Sequence, residues 1–402
     1  MSWPVVPLAK ALDSAHVFVD GDWVESKDQD PEGDVRLIQL ADIGDGYYVD
    51  KSNRFLTSDA ARRLKCTFLE AGDLLIARMP DPLGRACIFP GDSKRTVTVV
   101  DVCIIRPDSN TVYTPWLMHC INSPQSRNQI DEYTTGTTRQ RISRGNLTKI
   151  KVALPPLEEQ RCIAAILDQA ETLRTQRRQV LAHLDTLTQS LFLYMFGDPA
   201  SNPNGLPRKK LGELIAEGPQ NGLYKSSTEY GSGTPILRID AFYDGVVTKL
   251  NSLKRVRLSP EEIKLFGLAA EDIVINRVNS IEYLGKSALI PPLSEPTVFE
   301  SNMMRFTVRR DQVEPGYVVH FLQTPFIKGQ ILSGSKNAVN QSSINQQDVK
   351  GFEINVPPLP LQQTFATRIQ AIEALKATHR TALAELDALF ASLQQRAFAG
   401  EL

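Results

Sequence analysis

The sequence predicts an α+β protein with a pseudo-twofold internal repeat: two tandem domains, each a curved β-sheet with short helices, separated by two long antiparallel coiled-coil helices. Three observations carry that reading. The second half of the chain repeats the first, two segments keep a helical apolar spacing for about forty residues each, and short β-branched runs fill the rest. At 402 residues and 42% hydrophobic content the chain can bury a large core, which excludes a disordered or disulfide-stapled protein.

The repeat is seen by sliding the chain 202 positions, which places Leu154-Pro155-Pro156-Leu157-Glu158-Glu159-Gln160 on Val356-Pro357-Pro358-Leu359-Pro360-Leu361-Gln362. Residues 155–196 match 357–398 at 16 of 42 positions without a gap. Upstream, Asp73-Leu74-Leu75-Ile76-Ala77-Arg78 resembles Asp272-Ile273-Val274-Ile275-Asn276-Arg277, and Leu83-Gly84-Arg85 resembles Leu284-Gly285-Lys286. Both halves also carry an apolar run ending in Asp-Gly, at 37–46 and 236–245. The boundaries that follow are a first domain at 1–154, a helix at 155–197, a second domain at 198–356 and a helix at 357–402.

Taken in order, the first domain reads as strands at 35–40, 73–77 and 97–105 with a short helix at 114–121. Its polar loop, 134–151, holds Arg139, Gln140, Arg141, Arg144, Lys149 and Lys151 and no acid. Arg and Lys among amides and hydroxyls is the composition that grips phosphates and hydrogen-bonds base edges; a solvated loop is the plainer alternative. Pro155-Pro156, then Glu158 and Glu159, start the first long helix, and Gly197-Asp198-Pro199 ends it. Its seam is read as Ile163, Ile166, Ala170, Leu173, Arg177, Val180, Leu184, Leu187, Leu191 and Tyr194.

The second domain repeats the pattern with strands at 235–239, 272–275 and 303–308 and a short helix at 316–323. Its corresponding loop, 333–350, is rich in amides such as Asn337 and Gln346, with Lys336, Asn340, Gln341, Ser342 and Asn345 as candidate nucleic-acid contacts. Arg78 and Arg277, each ending an aligned strand, either reach a nucleic acid or pair with an internal carboxylate. The second seam is Phe365, Ile372, Leu375, His379, Ala382, Leu386, Leu389 and Leu393. A helix of 39 residues is roughly 58 Å long, so the second must run back along the first. Arg177 and its repeat partner His379 then meet as a polar layer that fixes register, with a proton switch at His379 as the weaker alternative.

A net charge of −1 averages an uneven chain: residues 1–50 carry 11 acids and 3 bases, residues 51–150 carry 15 bases and 9 acids. Five cysteines without a Cys-x-x-Cys pair read as buried thiols, and five scattered histidines give no metal-ligand spacing. No Asn/Asp-Pro-Pro-Tyr/Phe segment of an amino-methyltransferase is present. Gly285-Lys286-Ser287 lacks the upstream glycine of a phosphate-binding loop, Ser280 standing there, and reads as a strand-turn-strand. No 18-residue apolar run and no secretory leader is seen, so the protein is expected to be cytoplasmic.

The repeated Leu-Pro-Pro-Leu-Glu-Glu-Gln motif before a long helix resembles the specificity subunit of type I restriction-modification enzymes. Pro219-Gln220-Asn221-Gly222-Leu223-Tyr224-Lys225, with Tyr230-Gly231-Ser232-Gly233-Thr234-Pro235, resembles the opening of that family's target-recognition domains and adds Tyr224 and Lys225 as candidate DNA contacts. Residues 36–46 resemble the corresponding segment of the first domain. The resemblance implies two target-recognition domains reading an asymmetric bipartite double-stranded DNA site, with no catalytic activity and no cofactor in this chain. It implies two methyltransferase subunits that hold S-adenosylmethionine and two restriction subunits that use ATP and Mg²⁺. The rival expectation is a non-enzymatic coiled-coil scaffold for protein partners. One departure is that Leu359-Pro360-Leu361-Gln362-Gln363 lacks the two carboxylates of the first helix start.

Overall fold

Each long helix begins on the same buried side chain. Pro156 and Pro358 stand just ahead of the first turn, where a missing N–H costs nothing, and the helices run Leu157–Phe196 and Leu359–Ala399. One turn in, Gln160 and Gln362 are fully buried. The Gln160 carbonyl accepts from Tyr113 N at 2.8 Å, while its amide donates to the Thr111 and Pro155 carbonyls at 3.1 and 2.9 Å. Gln362 repeats this with Glu314 N at 2.9 Å and the Gln312 and Pro357 carbonyls at 3.4 and 2.7 Å. One amide thereby satisfies three backbone groups, among them a proline carbonyl that burial would otherwise orphan.

The computed structural model describes residues 3–136, 139–334, 336–338 and 341–401. The chain divides into two units, residues 1–179 with 379–402, and Val180–Thr378.

In the first unit a four-stranded sheet has the order Val17–Asp20, Val102–Arg106, Leu74–Ala77, Ala86–Ile88. A three-stranded sheet has the order Phe55–Leu56, Val35–Ile38, Arg95–Thr98, with the last two parallel. The second unit builds the same pair: Ile215–Asn221, Met303–Val308, Ile273–Asn276 and Ser287–Leu289 in one sheet, extended by Gly245–Val247 and Phe242–Tyr243, and Lys254–Val256, Tyr230–Leu237 and Val298–Phe299 in the other. The helices expected at 114–121 and 316–323 are Thr114–Ile121 and Pro315–Leu322. Strand alternation gives way to continuous burial at Leu74–Ala77 and Ile273–Asn276, because both faces of these central strands are covered. Cys66, Cys87, Cys103 and Cys120 are buried, and burial pushes each thiol up to about 12; Cys162 is exposed on the first long helix.

Each unit contains an antiparallel helix pair with one partner from each copy of the repeat. In the first unit 157–179 meets 379–399: Arg174 Nε donates to Asp387 at 2.6 Å, its other arm pairs with Glu171, and its guanidinium lies 4.3 Å from the Phe390 ring centre. In the second unit 180–196 meets 359–378, where Lys376 pairs with Asp185 at 2.9 Å and Glu373 at 2.8 Å. These triads are the same three positions displaced by 202 residues. Beside the first, Arg177 Nη1 donates to His379 Nδ1 at 2.9 Å, the polar layer that the alignment predicts. A guanidinium has no acceptor, so the imidazole Nδ1 must carry the lone pair.

The seam itself needs correction. Ile163 and Leu184 are buried and Ile166, Leu191, Ile372, Leu386 and Leu393 are partly so. Leu173, Leu187, Leu375 and Leu389 are 44%, 48%, 46% and 49% exposed, and Tyr194 is 85% exposed. The packed face instead takes in Leu167, Phe192 and Phe196 and the stems of Arg174 and Lys376. An apolar count scores Arg and Lys as surface, yet their methylene stems line a seam once the charged ends are paired.

Two expectations follow. Gln160→Leu and Gln362→Leu should each lower the unfolding free energy by about 3 kcal/mol in a urea melt, from three unpaired backbone groups; a loss below about 1 kcal/mol would show that the glutamines are dispensable. His320 lies edge-on to Phe365 at 5.4 Å, and burial, then the Lys376 cation, depress its pKa to about 4. An unfolded histidine takes a proton near pH 6.5, so the stability tied to neutral His320 is whole above that pH and drains as pH falls towards 4. His320→Gln should flatten the stability profile between those limits, and an unchanged slope would refute the assignment.

Candidate nucleic-acid interface

The polar loops before the long helices rise from equivalent anchors. Ile142, fully buried, donates its N–H to the Arg78 carbonyl at 3.1 Å, and buried Ile344 donates to the Arg277 carbonyl at 3.0 Å. In the first unit Thr135 and Arg141 exchange backbone bonds of 3.0 and 2.9 Å, closing a hairpin base. Gly136 takes a positive φ of 92°, and an added Cβ would stand 2.5 Å from the Arg139 carbonyl, so the turn requires glycine. Arg139 and Gln140 are exposed beyond this base, and Arg141 pairs at 3.6 Å with Asp101.

In the second unit the loop is a β-ribbon, Lys336–Ala338 antiparallel to Gln341–Ser343, with Val278–Asn279 as a third strand. Ser342 is buried in it. Asn340 lies outside the described residues. A major groove admits a two-stranded β-ribbon, and in it Arg matches guanine and Asn or Gln matches adenine.

Other candidates are occupied within the chain. Arg78 is 2% exposed, 3.5 Å from Asp20 and bonded to the Val100 carbonyl, so the internal-carboxylate alternative holds. Arg277 is half-buried and donates to the Ser301 carbonyl at 3.1 Å, with no carboxylate paired to it among the described residues. Arg144 donates to the Phe18 carbonyl at 3.0 Å, and Lys149 is exposed with its ammonium 3.0 Å from Asn146. Lys225 sits between Glu229 and Glu262, each at 2.9 Å, while neighbouring Tyr224 is 80% exposed. Asn345 is the N-cap of Gln346–Gly351, accepting from Gln347 N and Asp348 N at 2.7 and 3.1 Å. Arg78, Lys225 and Asn345 are thus engaged within the chain, whereas Lys149 and Tyr224 stay exposed.

Sequence reading missed a cleft of about 520 Å³ in the first unit, lined by Asp22, Trp23, Glu25, Gln39 and Asp101 among others. Trp23 is 67% exposed there. Its carboxylates and amide are acceptors of the kind that match the exocyclic amines of cytosine and adenine. Only the alternation of acids with an aromatic residue at 22–25 hinted at it.

Lys286 sits in the strand-turn-strand expected for it: Asn276 N donates to the Lys286 carbonyl and Gly285 N to the Asn276 carbonyl. Its ammonium donates to the Ile239 carbonyl at 2.6 Å and lies 3.8 Å from the Tyr243 ring centre, and burial depresses its pKa to about 8. It performs the task of Arg85, which donates to the carbonyls of Leu40, Ile43, Met79 and Pro82. Among the described residues no group of three His, Cys, Asp or Glu converges on a metal position, and no helix is long and apolar enough to cross a membrane.

The model of the type I restriction modification DNA specificity domain matches residues 17–183 and again 207–388. The EcoKI specificity subunit of Escherichia coli (strain K12) is 26% identical over 319 residues, 74% of this chain and 68% of that one. The StySPI specificity subunit of Salmonella potsdam is 23% identical over 317 residues, 74% and 67% of the two chains. The crystal structure of the S subunit of the type I restriction-modification system from M. genitalium superposes with a TM-score of 0.61 at 13% identity, over 99% of this chain and 96% of that one.

The cap geometry gives a direct test at Asn345. Asn345→Ala should cost about 1 kcal/mol in thermal unfolding, and Asn345→Asp, which keeps the acceptor, only a few tenths. If Asn345→Asp leaves stability intact but changes the recognised DNA sequence, the side chain reads bases instead.

Proposed function

The chain belongs to the type I restriction modification DNA specificity family, and on that premise we propose that each of its two units reads one half of an asymmetric, bipartite duplex target. The observation that carries this is the pairing of like anchors with unlike tips. The Arg78–Ile142 and Arg277–Ile344 backbone bonds are equivalent, yet one supports a hairpin with exposed Arg139 and Gln140 and the other an amide-rich ribbon. A common scaffold with different hydrogen-bonding side chains is how one protein would distinguish two base sequences.

In this reading the chain itself performs no chemistry. Methyl transfer belongs to two methyltransferase partners that bind S-adenosylmethionine, and cleavage to two restriction partners that use ATP and Mg²⁺. The two long helices act as the spacer, so the half-sites lie on one DNA face about one helical turn, roughly 34 Å, apart.

Three experiments test it. Replacing residues 134–143 with the corresponding loop of another family member should alter one half of the methylated motif in a host genome and leave the other half unchanged. Inserting a heptad in each long helix should change the tolerated spacer length and neither half-site. DNA affinity of the complex with the methyltransferase should also fall steeply with salt; an affinity flat with salt would favour the protein scaffold.

A further inference from the structure

A second basic segment, outside the loops already described, is built into the first unit. The chain from Val49 to Arg54 is fixed from behind. The carboxylate of Asp42, fully buried, accepts from Lys51 N at 2.7 Å and Ser52 N at 2.6 Å, besides Gln39 N at 2.7 Å. Arg36 donates to the Ser52 carbonyl at 3.0 Å, Val49 N donates to the Asp42 carbonyl at 2.9 Å, and Leu37 N donates to the Arg54 carbonyl at 2.8 Å. The backbone is thus held at five points while the side chains of Lys51, Asn53 and Arg54 are exposed, with no partner for them among the described residues.

The same arrangement removes competing negative charge. Arg36 pairs with both Asp50 and Asp92, the latter at 2.7 Å, and Asp42 is spent on backbone N–H groups. Within the segment the charged side chains left without a partner among the described residues are then Lys51 and Arg54. The second unit has a counterpart on its equivalent three-stranded sheet. Thr248 N donates to the Ala241 carbonyl at 2.9 Å, as Val49 N does to Asp42, and Lys254 lies opposite Ile236 as Arg54 lies opposite Leu37. Lys249, Asn251, Lys254 and Arg257 are exposed there, again with no side-chain partner among the described residues.

We propose that Lys51 and Arg54, with Lys249 and Lys254 as their counterparts, grip the phosphate backbone of the target and set its position, leaving sequence discrimination to the loops before the long helices. This rests on the reading of the chain as a DNA-recognition subunit. Phosphate contacts carry no sequence information but fix orientation, and a rigid backbone presenting flexible cationic ends without internal partners meets that need. An almost neutral chain must concentrate its bases to hold DNA at all, and here the neighbouring acids are already neutralised.

The test uses the full chain assembled with its methyltransferase subunits and duplexes with and without the recognised motif. Lys51→Gln with Arg54→Gln should weaken binding to both duplexes by the same factor, about tenfold at moderate salt. It should reduce the slope of log K against log salt by about 1.8, the value for two phosphates, and leave the methylated motif unchanged. Lys51→Arg with Arg54→Lys should restore the slope. An unchanged slope, an altered motif, or loss of methyltransferase assembly would each overturn the proposal, the last by making the segment a protein-docking surface. A wild-type slope near zero would instead overturn the DNA reading on which it rests.

Discussion

Both units depend on an antiparallel helix pair whose members come from different copies of the repeat. In the first unit 157–179 packs on 379–399, and in the second 180–196 packs on 359–378. Neither copy can bury its own helix face alone, so the packing couples chain segments some 200 residues apart. Reciprocity fixes the chemistry: a base at one position of the repeat must face an acid at another. Glu171, Arg174 and Asp387 in one unit answer to Glu373, Lys376 and Asp185 in the other. Such paired charges contribute modest energy but penalise any shifted register, which would leave Lys376, only 4% exposed, without a partner.

The framework around the helices is conservative in function even where residue types change. Gln129 and Gln330 each exchange two hydrogen bonds with the backbone of the short strand before a long helix, Lys151–Ala153 and Glu353–Asn355, at Lys151 and Glu353. Arg85 and Lys286 serve the same carbonyl-rich turn, the arginine with four bonds and the lysine with one bond and an aromatic neighbour. His119 instead diverges from His320: the first is held 2.7 Å from Asp168, whereas the repeat places Gln370 at the equivalent position for the second. The polar loops differ in residue type above equivalent anchors, arginines in the first and amides in the second.

Much of this was legible before any coordinates. The 202-residue offset, the proline pairs and the Arg177–His379 layer follow from local pattern and helix geometry alone. The heptad seam was legible only in part, because Leu173, Leu187, Leu375 and Leu389 keep the spacing yet stand half exposed, while charged Arg174 and Lys376 go inside. The candidate DNA contacts show the same limit. Arg139 and Asn345 look alike in composition, but one is exposed at a hairpin and the other caps a helix.

The sequence by itself therefore determined the repeat, the α+β class, the helix starts and the family likeness, since each rests on residues near one another or on direct self-comparison. Tertiary structure alone decided which polar side chains are free. Arg78, Arg144 and Lys225 find partners 22 to 126 positions away or across a turn, and Lys51 and Arg54 are left without one because Arg36 and Asp42 take the groups around them. Whether a charge is spent inside the fold or offered to a ligand depends on what lies within about 4 Å of it, and no local pattern encodes that distance.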